Sequence, residues 1–162
     1  MKKLIGLVGL LSPLTIHAQS LGVFCWKLNP FSDILCFDVE SKGFVFELTG
    51  TQEFPTNDVP SHSAEVPSHG AANLERSSNN FHLGFTSYFS DGRVLQFFVS
   101  LDTTSLNGTW TSSLANSIVI SGDFAFQGTG PLNTETIERN VTDKDSLSYL
   151  SYITSLQITP QK

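Results

Sequence analysis

Two histidines seven residues apart in the same tetrapeptide are the clearest candidates for chemistry in this chain. Val59-Pro60-Ser61-His62 recurs as Val66-Pro67-Ser68-His69. Paired imidazoles can begin a zinc site, but zinc takes four ligands, commonly Cys, His or carboxylate. Only Asp58 and Glu65 lie near, and no Cys does. The repeat therefore reads as a tandem duplication tolerated in a loop, and no metal is expected. His82 alternates with Phe81 and Leu83, which places it on the polar face of a strand rather than in the role of a base. Glu47 within 44–48 is likewise an outward strand position. Serine is abundant, but no nucleophile elbow, phosphate-cradling loop or dinucleotide fingerprint is present. No catalytic residue, no cofactor and no enzymatic activity are expected.

Cys25 and Cys36 are better placed. If 29–32 (Asn-Pro-Phe-Ser) is a four-residue hairpin loop, Leu28 faces Asp33 and opposed residue numbers sum to 61. Cys25 then faces Cys36 at the Cα separation of an antiparallel pair, which a disulfide can bridge. The same register puts Phe24, Trp26 and Leu28 on one face with Leu35 and Phe37. Cys25, Lys27, Ile34 and Cys36 take the other. Hydrophobic pattern and cysteine placement thus support one register independently. Two buried free thiols are the alternative. A nucleophilic or metal-binding thiol is disfavoured, because no His lies near and a disulfide offers no thiolate.

The start of the chain gives it an address. Lys2 and Lys3 precede an apolar run from Leu4 to Ile16, and Ile16-His17-Ala18 ends in a small residue. The run is shorter than the roughly 20 residues a bilayer-spanning helix needs, so residues 1–18 read as a signal peptide with Gln19 as the mature N-terminus. The short Met-Lys-Lys opening is of the bacterial kind, and it implies a periplasmic or secreted location. Losing both lysines takes the formal charge from −6 to −8. That argues against nucleic acid as a partner, since such binding needs a basic face. No later segment is apolar for long enough to insert into a membrane as a helix.

The elements that must position these residues are strands. Apolar residues recur with period two over 23–28, 34–40, 44–48, 71–76, 81–89, 93–102, 109–112 and 118–126, with turn residues between them. Eight such strands can close a small barrel and remove its edges. The expected fold is therefore all-β, a single antiparallel meander over residues 19–127 forming a closed barrel or a tight sandwich. Asp91-Gly92 reads as a two-residue hairpin loop, pairing Phe85 with Phe98 and Tyr88 with Leu95. Both faces of that hairpin then carry apolar groups, which suggests cover by another segment or by a second copy in a homo-oligomer. Pro55, Pro60 and Pro67 make 51–69 a long loop. Residues 128–162 read as a polar linker and tail, with an extra strand at 149–158.

Gly108-Thr109-Trp110, followed by a turn and the strand Gly122-Asp123-Phe124-Ala125-Phe126, resembles the Gly-x-Trp strand of lipocalin- and avidin-like barrels. That resemblance covers about 20 residues. It implies a Trp packed at the barrel base and an interior that holds a small apolar ligand. In those families the motif lies on the first strand, and here it falls near the end of the chain. Leu48 to Pro55 resembles the opening of chordin-type repeat domains, with Gly70-Ala71-Ala72 fitting the continuation of that pattern; the paired-His motif of that family is absent. The thirteen Phe and two Trp suit a barrel with an aromatic lining. The expected function is non-catalytic binding of a small apolar or aromatic molecule by Phe24, Trp26 and Phe37. The competing expectation is a structural or interaction module in which these rings simply fill the core.

Overall fold

The computed structural model describes residues 18–43, 45–55, 63–75, 77–90, 92–113, 119–130, 148–149 and 152. Residues 1–17 of the expected signal peptide, His62, and residues 150, 151 and 153–158 of the expected late strand lie outside them. Eight strands follow one another: β1 (Gln19–Leu28), β2 (Ile34–Lys42), β3 (Val45–Pro55), β4 (Ser63–Glu75), β5 (Asn80–Tyr88), β6 (Val94–Asp102), β7 (Gly108–Ser113) and β8 (Val119–Thr129). Each pairs antiparallel with the next, and β8 returns to β1. The result is a closed meander barrel rather than a sandwich. All eight strands expected of the barrel are present, because the period-two pattern gives each one an apolar inner face.

The first hairpin has the expected register. Leu28 N–H donates to the Asp33 carbonyl at 2.9 Å, and Cys25 lies opposite Cys36, as Trp26 does Leu35. A disulfide joins the two cysteines across a Cα separation of 4.1 Å. It sits on the outer face, yet Cys25 is buried, since the Gly130 carbonyl oxygen lies 3.7 Å from its Sγ. Gly130 N–H in turn donates to the Val23 carbonyl at 2.8 Å. Gly130, just beyond β8, thus continues the pairing with β1 beside the bridge.

Three expectations are corrected. The β5–β6 hairpin pairs Phe85 with Phe97 and Tyr88 with Val94, one residue away from the Asp-Gly register. Phe89 N–H donates to the Arg93 carbonyl at 2.9 Å, so the connection is three residues, 90–92, with Gly92 at φ 87°. A three-residue loop closing on a left-handed glycine is the next commonest hairpin after the two-residue one. The slip sends Leu95, Phe97, Val99 and Leu101 inward together, which outweighs the local turn preference. Phe98 is left outside, 57% exposed, lying over Gly84.

The span 51–69 is mostly strand. Thr51 to Pro55 pair with Ser63 to Pro67 as a continuation of β3 and β4. Pro67 is tolerated because β4 there is paired with β3 alone; its pairing with β5 begins at Ser68. A residue without an N–H can stand on such an edge. In the tail, Tyr149 and Tyr152 are helical rather than extended. Tyr152 N–H donates to the Ser148 carbonyl at 3.0 Å, and the i, i+3 spacing puts both rings on one side.

Inside, alternate residues of all eight strands form one apolar core. Phe85 stacks on Phe97 at 4.7 Å between centroids, and Trp26 on Phe124 at 5.5 Å. The two ends of the barrel differ. The end carrying the β1–β2 turn also buries Asp33, Gln52, Ser68, Ser87 and Ser112, whereas the opposite end is apolar.

Candidate functional site

At the apolar end the barrel opens into a pocket of about 120 Å³ with a wholly apolar wall. Leu21 and Phe24 enter from β1, Phe46 from β3, Phe81 from β5 and Leu106 from the β6–β7 turn, and Trp26 lies among them. Leu106 is held at φ 57°, and its carbonyl accepts Trp26 Nε1–H at 2.9 Å. That bond satisfies the indole N–H and leaves the ring's apolar surface to the pocket. Of the three residues expected to bind a ligand, Phe24 and Trp26 line this pocket. Phe37 does not; it is fully buried beneath it, 6.4 Å from Trp26 and 5.3 Å from Phe85 by ring centroids.

The opposite end is closed by the tail. Tyr149 is fully buried, its ring centroid 5.1 Å from Phe31, 5.3 Å from Phe97 and 5.3 Å from Trp110. Trp110 Nε1–H donates to the Asn29 carbonyl at 2.8 Å. Gly122 makes that bond possible, because a Cβ there would stand 2.0 Å from the Asn29 oxygen. Beside Tyr149 lies Asp33, buried and accepting from Tyr149 N–H and Gln52 Nε2–H, each at 2.7 Å, and from its own backbone N–H. Burial is the largest influence on its carboxyl and pushes its pKa up to about 6 against these hydrogen bonds. Burial likewise raises the Tyr149 hydroxyl to about 12, with Ser112 acting the other way. Gln52 Oε1 and Ser32 Oγ are buried and find no partner among the described residues.

Other polar groups make structural contacts. Ser68 and Ser87 share a hydrogen bond at 2.7 Å inside the barrel. Glu75 accepts from Ser77, Ser78 and His82 at the exposed β4–β5 turn, and these bonds, Ser78 foremost, lower its pKa to about 2. Because both serines donate to the carboxylate rather than to the imidazole, the cluster caps a turn and does not prepare a nucleophile. His69 is exposed on the outer face of β4, its ring 6.0 Å from Tyr88.

Sequence reasoning missed the closed end. Asp33 was visible only as a turn neighbour, and Tyr149 as one position of an expected strand. The Tyr149 and Tyr152 spacing was the available signal, since it fits a helical turn as well as an alternating strand. Leu21, Phe46 and Leu106 reach the pocket only through barrel closure. No family model, curated protein or solved structure matches this chain.

Proposed function

We propose that this is an exported, non-catalytic barrel whose open end grips the apolar end of a small molecule. The wholly apolar pocket at an otherwise closed barrel's mouth, with Trp26 and Phe24 on its wall, is the observation that supports this reading. At about 120 Å³ the pocket is well below the roughly 300 Å³ of a site that engulfs a whole ligand. It is close to the size of apolar cavities that take a benzene ring, about 150 Å³. The ligand therefore inserts a single ring or the end of a chain and leaves its polar part in solvent. The disulfide suits an oxidising compartment, in keeping with the signal-like N-terminus and a periplasmic or secreted location.

The test is a series of linear alcohols from butanol to decanol, titrated by calorimetry and followed by chemical shifts of Trp26. Affinity should rise by about 0.8 kcal/mol per buried methylene and level off once the pocket is full. Filling the pocket with Ala72→Phe should abolish binding without unfolding the barrel. No saturable binding, or equal binding by that variant, would remove the reading and leave an interaction module. For that second reading the relevant feature is the outer face, where Phe98 is 57% and Tyr88 45% exposed on adjacent strands.

A further inference from the structure

Tyr149 occupies the closed end as a ligand occupies a site. Its ring is enclosed by Phe31, Phe97 and Trp110, and its backbone nitrogen meets the Asp33 carboxylate. Among the described residues of the tail, this one and Tyr152 reach the aromatic cluster. A buried carboxylate whose partners among the described residues are all neutral is an expensive group, because neutral donors do not replace its lost hydration. A cation at the position of the Tyr149 nitrogen would compensate that charge directly. The fragment joining ring to nitrogen in Tyr149 is ring–Cβ–Cα–N, the skeleton of a phenylethylamine.

We propose that the closed end of the barrel is a binding site for aryl-ethyl amines, an aromatic ring two carbons from a protonated primary amine, and that Tyr149 fills it as a tethered substitute. The ring would pack against Trp110, Phe97 and Phe31 as the Tyr149 ring does, and the ammonium would displace the backbone N–H of residue 149 from Asp33 Oδ2 and donate in its place. Gln52 would continue to hold Oδ1. This site lies at the opposite end from the apolar mouth and does not depend on it. A tethered group acts at millimolar effective concentration, so a free amine competes poorly with the intact tail and binds well once the ring is removed.

The experiment uses full-length, disulfide-intact protein carrying Tyr149→Ala, with tyramine as the probe and 4-methylphenol as the ring without an amine. Expected are saturable one-to-one binding of tyramine by calorimetry, a rise in Tm, and at least tenfold weaker binding of 4-methylphenol. Adding Asp33→Asn should erase the preference for the amine, while Ala72→Phe at the mouth should leave it intact. Wild-type protein should bind tyramine at least tenfold more weakly than Tyr149→Ala. Folded Tyr149→Ala that takes up no tyramine, or binds both probes equally, overturns the proposal. Should that variant not fold alone, tyramine in the refolding buffer must restore the barrel's circular dichroism, and failure to do so counts against the site equally.

Discussion

Asp33 and Tyr149, 116 residues apart, are joined by one hydrogen bond: the Tyr149 backbone N–H donates to Asp33 Oδ2 at 2.7 Å. It ties the tail to the start of β2 and closes one end of the barrel. The bond helps hold a carboxylate where burial opposes its charge. Asp33 has a folded pKa of about 6 against an ordinary 3.8, so the folded chain binds this proton more tightly than the unfolded one. The contribution of Asp33 to stability is therefore greatest below about pH 4. It declines as pH rises toward 6 and is constant above that, a loss of about 3 kcal/mol over the window. Denaturant unfolding of wild type and Asp33→Asn between pH 4 and 7.5 should give a difference that moves in favour of the variant as pH rises. A pH-independent difference would contradict this.

The disulfide closes a short loop on a hairpin already held by its ladder. Replacing both cysteines by alanine should cost about 2 to 3 kcal/mol and leave the strand register unchanged. Intact mass with and without reductant should differ by two hydrogens. Protein purified from an oxidising compartment that shows no difference would refute the bridge.

Gly122 is a sharper test of the closed end. Alanine there would drive a Cβ to 2.0 Å from the Asn29 carbonyl oxygen and 2.8 Å from Trp110 Nε1. Because the first of these is backbone, the turn between β1 and β2 must shift and the Trp110 bond must lengthen. Gly122→Ala should lose at least about 2 kcal/mol and red-shift the tryptophan emission. Unchanged stability would mean the turn yields freely.

Deleting 59–65 leaves one copy of the Val-Pro-Ser-His repeat. On the sequence alone this is a loop deletion with little consequence. The ladder shows otherwise, since Ser63, Ala64 and Glu65 pair with Pro55, Phe54 and Glu53. Phe54, buried and 5.7 Å from Phe89 by ring centroids, loses its strand partner. A fall in Tm of a few degrees is expected, corresponding to about 1 kcal/mol, with β4 pairing intact from Val66 onward by NMR. A barrel that does not fold, or no change at all, would each disagree.

The sequence by itself determined the class, the eight strands, the first hairpin and its cysteine pairing. These rest on local rules: period two fixes which residues face inward, and a four-residue turn fixes what opposes Cys25. Where two local signals competed, the tertiary structure decided. Asp91-Gly92 favoured a two-residue loop, but burying Phe97 against Phe85 is worth more than the preferred turn, so the register slipped by one. Pro67 marked a loop, yet its place on a one-sided stretch of β4 removed the cost of its missing N–H. The functional ends were less legible still. Asp33 and Gln52 meet across the β2–β3 ladder, but Tyr149 reaches them only because the tail returns to that end of the barrel, and Leu21, Phe46 and Leu106 converge only because the strands close into a ring. Closure brings together residues far apart in sequence, and no local periodicity encodes which of them will meet.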